Sequence, residues 1–303
     1  QQESVDPLGA EAIRERAAQA RGRATASREE AAAVYADLLE SGVEDPSSQI
    51  VLSLAELRME LGQLDRASEL IRRVRSDQPD NLSAMLIAAT LAERRDARSD
   101  AERLYNEAVE KHSSNFLAFY RRALFNSADQ SRRTDVLFDL QRVNELRPSL
   151  AEGWLLRYRV NMQSNDPDAA FAALQEGIER APSIADTLSR ELVQQLVRAG
   201  RLIDASAVAA SRADATPQDA YWQYTAGSLA RQRGAFTEAA NYFDRLNEIP
   251  EIASDPTQTA QTAGLVLDAR LRAGQQIPPA ELRRLTSLIE GLPAEGVSGV
   301  AQT

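Results

Sequence analysis

Arginine, tyrosine and carboxylate side chains carry nearly all the chemistry open to this chain of 303 residues. Cysteine is absent and His112 is the only histidine. Without cysteine there is no thiolate nucleophile, disulfide framework, zinc ribbon or iron–sulfur cluster. One imidazole excludes a multi-histidine metal site and most histidine-based triads. Carboxylates are frequent, as at Glu29-Glu30 and Glu176/Glu179. On amphipathic helices such groups are solvated faces or partners of arginine three or four residues away. The sequence contains no H-E-x-x-H, G-x-x-x-x-G-K-[ST], G-x-S-x-G or G-x-G-x-x-G. His112, beside Lys111 at a helix end, is read as a cation that the helix macrodipole favours. Asn81-Leu82-Ser83 fits a glycosylation sequon and is read as a chance match. No catalytic residue, cofactor site or metal ligand is expected. Lys111 is the only lysine, so every other one of the 35 basic residues is arginine. The net charge of −10 argues against nucleic-acid binding, which normally goes with a basic excess.

The elements that must position these side chains are helices. Val, Ile, Thr and aromatic residues never alternate for long, and no Asn-Gly or Asp-Gly hairpin turn occurs. Leu54, Leu57, Leu61 and Leu64 recur at helical steps, and Ala, Leu, Glu, Arg and Gln fill the exposed positions. No apolar run approaches the roughly 18 residues of a membrane span. By length alone the chain would make about two ordinary domains.

Self-similarity changes that reading. Gly62-Gln-Leu-Asp-Arg-Ala67, Gly200-Arg-Leu-Ile-Asp-Ala205 and Gly234-Ala-Phe-Thr-Glu-Ala239 share a glycine and an alanine in register. A twelve-residue step leads from Ala67 to Pro79, from Ala205 to Pro217 and from Ala170 to Pro182, while Pro250 comes one residue early. Gly200 and Gly234 stand about 34 residues apart, as do Pro148 and Pro182. The chain therefore resembles the tetratricopeptide-repeat (TPR) family, of bacterial type, over most of its length.

The resemblance implies an all-α fold: a right-handed superhelical solenoid of antiparallel helix pairs. Six repeats are expected at 48–81, 82–115, 116–150, 151–184, 186–219 and 220–253, the third with one extra residue near Asp129 to Thr134. Residues 1–47 would hold an N-terminal helical pair, with Ala31, Tyr35 and Leu38 on one face and Pro46 at its end. Residues 254–292 would form a degenerate repeat or cap turning at Gly274, its second helix delayed by Ile277-Pro278-Pro279, and 293–303 a flexible tail. The family's close helix crossings want small residues. Ala55, Ala89, Ala123 and Gly227 supply them on first helices, where Tyr158 and Leu192 depart. Ala67, Ala101, Ala170, Ala205 and Ala239 supply them on second helices, with Val136 the exception. Ile71, Tyr105, Leu140, Leu174, Phe243 and Trp154 fill the gaps between. No pair buries its apolar face alone, so stacking makes the core.

Function in the family resides in the concave face of the first helices. Its positions hold Gln49, Glu56, Glu60 and Glu93 early in the chain. Later they hold Tyr120, Arg121, Arg159, Arg190, Gln194, Arg198, Tyr221, Tyr224 and Arg231. Arginine forks grip carboxylates, and tyrosine adds amphipathic area at little entropic cost. The resemblance thus implies a non-enzymatic scaffold that takes a protein or peptide, acidic or C-terminal, in this groove. The family's lysine-dependent clamp for chaperone tails is ruled out, because Lys111 falls on a second helix. A structural subunit packed in a larger assembly is the alternative, with Leu282, Leu285, Leu288, Ile289 and Leu292 as a cap or docking face. An enzyme on a helical toroid or solenoid is the third reading, and the lack of catalytic motifs speaks against it. The start at Gln1-Gln2-Glu3, then Asp6-Pro7, is read as the trace of a removed signal peptide, which implies a periplasmic or secreted protein; a cytoplasmic one is the alternative. Arginine and alanine enrichment reads as GC-rich, bacterial coding.

Overall fold

A computed structural model describes residues 26–34, 36 and 48–290, apart from a few side chains in the last helix. Tyr35, Leu38, Pro46, the start of the chain and the 293–303 tail lie outside the described residues, as do Leu292 and the side chains of Leu285 and Ile289. Among the described residues there is no strand. Residues 26–34 are helical, with Ala32 buried. No helix among them is long and apolar enough to cross a membrane.

The chain divides at Arg147/Pro148 into two compact units. The first contains α1 (Ser48–Glu60), α2 (Leu64–Asp77), α3 (Leu82–Arg94), α4 (Arg98–Lys111), α5 (Phe116–Asn126) and α6 (Arg133–Leu146). The second contains α7 (Ala151–Gln163), α8 (Pro167–Arg180), α9 (Ala185–Arg198), α10 (Leu202–Ala215), α11 (Ala220–Gln232) and α12 (Phe236–Glu248). It ends with a one-turn helix α13 (Pro250–Ala253), then α14 (Pro256–Arg272) and α15 (Pro279–Glu290). Each odd-numbered helix through α11 packs on the helix after it, and successive pairs stack in sequence within each unit, an all-α solenoid of antiparallel pairs. First helices of neighbouring pairs also approach directly: α1 meets α3, α3 meets α5, and α7 meets α9.

Local chemistry sets the boundaries. Asn81, Asn115, Asp166, Asp219 and Asp255 each cap a helix, their side-chain oxygens accepting from backbone N–H groups of the first turn. The turns inside the pairs need one residue at positive φ. Glycine provides it at Gly62, Gly200, Gly234 and Gly274, whereas Asp96 (φ 56°) and Asn165 (φ 57°) provide it elsewhere. Asp and Asn tolerate that region better than other side chains, which is why no glycine marks those turns in the sequence. The α5/α6 turn instead closes through a short 3₁₀ segment, Gln130–Arg132, capped by Asp129. Pro250 does not merely end α12: it opens α13, as the first residue of a helix where no N–H is needed.

The cores follow the small-and-large alternation. Ala55, Ala89, Ala123, Ala67, Ala101, Ala170, Ala205 and Ala239 are all fully buried. Where Tyr158 and Leu192 replace the small residue, they are buried too, in a cluster with Trp154, Phe171, Leu188 and the three alanines Ala205, Ala209 and Ala213 of α10. The thin face of α10 makes the room that the bulky side chains take. Close approach fixes two glycines. A Cβ on Gly177 would lie 2.6 Å from Leu188 Cδ1, and one on Gly227 would lie 2.6 Å from Phe243 Cε1.

Candidate functional site

The outward charges are largely committed to neighbours. Arg75 pairs with Glu107 across successive second helices, and Arg245 with Asp214 in the same way. Lys111 bridges to Asp80, Arg132 to Glu102 and Arg201 to Asp168, each about one repeat away. His112 caps the end of α4, and its Nε2 is buried without a hydrogen-bond partner.

In the first unit, α1, α3 and α5 line a cleft of about 460 Å³ whose walls include Gln49, Glu56, Leu52, Ile87, Leu117, Tyr120 and Arg121. A second hollow shares Glu56, Ile87 and Arg121 and runs on to Glu60, Thr90 and Arg94. Tyr120 and Arg121 are therefore neighbours on one face, and Arg121 has no ion pair among the described residues. Two of the acids are already engaged: Glu60 pairs with Arg28 at 2.7 Å, and Glu93 accepts from the Tyr105 hydroxyl. Burial, and then the Glu93 carboxylate, hold the Tyr105 phenol far above its usual range. Next to this face, Asp139 is fully buried and receives two hydrogen bonds from Arg122, at 2.9 and 2.6 Å. Burial pushes the Asp139 carboxyl up, against the pull of Arg122. Arg122 had no place among the candidates drawn from the sequence.

In the second unit the arginines separate into two kinds. Arg159 on α7 and Arg198 on α9 are exposed and carry no ion pair among the described residues. Gln194 shares the α9 face with Arg198 and is equally free. Met162 and Val197, one turn from Arg159 and Gln194, add exposed apolar surface. Arg198 acts electrostatically on the Tyr158 hydroxyl, which puts it across from α7; burial, then Glu191, raise that phenol and Arg198 opposes them.

Arg190 and Arg231 are of the other kind: each lies against carboxylates of the chain itself. Arg190 Nε donates to Asp186 Oδ2 at 2.7 Å, its Nη2 lies 3.7 Å from Asp219, and its guanidinium sits 3.6 Å from the centre of the Tyr221 ring. Trp222 Nε1 donates to the other Asp186 oxygen at 2.5 Å. Against the desolvation of partial burial, the Arg190 and Trp222 hydrogen bonds hold the Asp186 carboxyl below its ordinary value. Arg231 lies 3.7 Å from Asp268, which also accepts from Arg272 at 2.7 Å.

Tyr221, Tyr224 and Arg231 line a separate cleft of about 650 Å³ with Leu246, Ile252, Gln258, Gln261, Leu265 and Asp268. The sequence pattern misses the last six. The repeat spacing breaks after Pro250, and the early proline and the degenerate unit that follows it marked the change without showing which residues form the cleft.

No protein-family model and no curated protein sequence matches the chain. Among solved structures it is similar to Pseudomonas aeruginosa pilF, at 16% identity over 67% of this chain and 92% of that one, with a TM-score of 0.44. It is similar to a tetratricopeptide repeat protein from Parabacteroides merdae, at 14% identity over 84% and 96%, with a TM-score of 0.41. Yeast Tom70 matches at 15% identity over 93% of this chain and 57% of its own, with a TM-score of 0.45. These are likenesses of fold to proteins that include a named tetratricopeptide-repeat protein, and they carry no partner or activity over to this chain.

Proposed function

We propose that the chain is a non-enzymatic interaction scaffold whose second unit takes an acidic segment of a partner protein on the shared face of α7 and α9. The supporting observation is that Arg159 on α7 and Arg198 on α9 are exposed with no ion pair among the described residues, and that Gln194, Met162 and Val197 on the same two helices are exposed as well. Arg75, Arg132, Arg201 and Arg245 are held by carboxylates of neighbouring helix pairs, whereas Arg159 and Arg198, with no ion pair among the described residues, retain their capacity for carboxylates. In the first unit Tyr120 and Arg121 offer a smaller version of the same chemistry. The helix pairs from Ser48 to Glu248 are read as the six repeats, and α14 with α15 as the closing pair. Exposed apolar side chains such as Phe138, Ile203 and Leu271 are common on protein surfaces and do not by themselves favour the alternative of a permanently packed subunit.

The test is fluorescence anisotropy with a labelled hexaglutamate peptide. The full chain is expected to bind in a salt-sensitive manner, and Arg159→Glu with Arg198→Glu to abolish binding without loss of helicity. Unchanged binding by the double variant refutes the proposal. Affinity capture from the native source then identifies the partner.

A further inference from the structure

The cleft at the end of the second unit differs in kind from the α7/α9 face. Its lining holds one charged group of each sign, Arg231 and Asp268, 3.7 Å apart, so the lining itself carries no net charge. What it offers is two tyrosines one helical turn apart on α11, Tyr221 (41% exposed) and Tyr224 (50% exposed), facing two amides one turn apart on α14, Gln258 and Gln261. Leu246, Ile252 and Leu265 add apolar lining between them. Gln261 is exposed and has no hydrogen-bond partner among the described residues, and Gln258 uses one N–H on Asp255 at 2.9 Å. The cleft exists because α13 is inserted after α12: Ile249 is buried and anchors the turn, which brings Ile252 into the wall. Tyr221 is held in place from behind. The Arg190 guanidinium covers its ring, and Asp186 and Asp219 hold the guanidinium.

Paired tyrosine rings with apolar lining suit pyrrolidine rings. Facing amide donors suit backbone carbonyls that have no internal partner. Both features belong to a polyproline II segment, whose backbone makes no hydrogen bonds of its own and whose ordering cost on binding is low. We propose that this cleft binds an uncharged, proline-rich segment of a partner protein, with Arg190 as the residue that positions Tyr221. The proposal does not depend on the acidic-segment reading of α7 and α9.

The test uses the full chain and a fluorescein-labelled decaproline peptide, followed by anisotropy. Saturable binding that is unchanged by salt is expected. Tyr224→Ala and Gln261→Ala are each expected to weaken it about tenfold, and Arg190→Ala to weaken it less, about threefold. Arg159→Glu with Arg198→Glu leaves it unchanged. Tyr224 packs near Phe243, with ring centres 6.3 Å apart, so thermal unfolding accompanies that variant; Gln261 is exposed and keeps the test independent of folding. Absence of saturable binding, equal binding by Gln261→Ala and the unmodified chain, or displacement by hexaglutamate each overturns the proposal. Loss of decaproline binding with hexaglutamate binding intact overturns this cleft alone and leaves the α7/α9 face standing.

Discussion

Arg190 and Arg159 look equivalent in the sequence, and the structure predicts that they separate cleanly. The perturbation is Arg190→Ala set against Arg159→Ala. Arg190 loses an ion pair to Asp186 at 2.7 Å, a longer one to Asp219 at 3.7 Å and a stacked contact with Tyr221 at 3.6 Å. The guanidinium side chain is 40% exposed, so water screens these charges and each pair contributes only about 0.2–1 kcal/mol. The cation–π contact adds about 0.5–1 kcal/mol. Because the three share one side chain they do not add fully, and the expected cost is about 1–2 kcal/mol. Arg159 has no ion pair among the described residues, and its replacement should stay within about 0.5 kcal/mol. Urea unfolding followed by circular dichroism measures both, with the midpoint as readout because a stacked-repeat protein need not unfold in two states. Hexaglutamate binding should show the reverse order: Arg159→Ala weakens it and Arg190→Ala does not. Equal destabilisation by the two variants, or loss of hexaglutamate binding in Arg190→Ala alone, would refute the division of the arginines into clamp and ligand groups.

Three further outcomes follow from the packing and the buried charges. Gly227→Ala should destabilise by about 1–3 kcal/mol despite alanine's better helix propensity, because its Cβ meets the fully buried Phe243 ring. Phe243→Leu in the same chain should recover part of that loss in a melting experiment, and no recovery would discard the steric account. Arg122→Ala should cost about 2–4 kcal/mol at neutral pH by leaving the buried Asp139 carboxylate uncompensated. Burial already raises the Asp139 carboxyl, so the folded state holds its proton more tightly than the unfolded chain. The penalty is therefore full above the folded pKa and shrinks as pH falls through it. Urea titrations at about pH 7 and about pH 5 should show the gap to the unmodified protein narrowing, and a widening gap contradicts the assignment. Asp186 has the opposite sign: its depressed pKa gives stability that is present above the unfolded value near 3.8 and lost as pH falls through the folded one. Asp186→Asn should therefore differ most from the unmodified chain above that range and converge with it in stronger acid, as followed by urea midpoints.

The helix pairs were legible because they depend on local and periodic chemistry. Alanine at close crossings, Asn or Asp before a helix, and glycine in a left-handed turn leave marks at fixed spacing, as at Ala67, Asp219 and Gly234. Two turns escaped because Asp96 and Asn165 do what glycine does elsewhere. The α5/α6 connection was recognisable only as one residue too many. The candidate surface was half legible. Which helix face carries Arg159, Arg190, Arg198 and Arg231 follows from a period of 3.6 residues, and so the sequence alone determined that these arginines line first helices. Local spacing shows the Asp186–Arg190 pair, four residues apart, but not the remaining partners that decide which arginines are free. That depends on whether a carboxylate from another turn or helix reaches them, as Asp219 reaches Arg190 and Asp268 reaches Arg231. Partners of this kind lie about 30 residues or more away along the chain and leave no trace in local spacing. The terminal cleft is likewise a tertiary product: α13 shifts α14 out of the repeat register, and only then do Gln258 and Gln261 come to face Tyr221 and Tyr224.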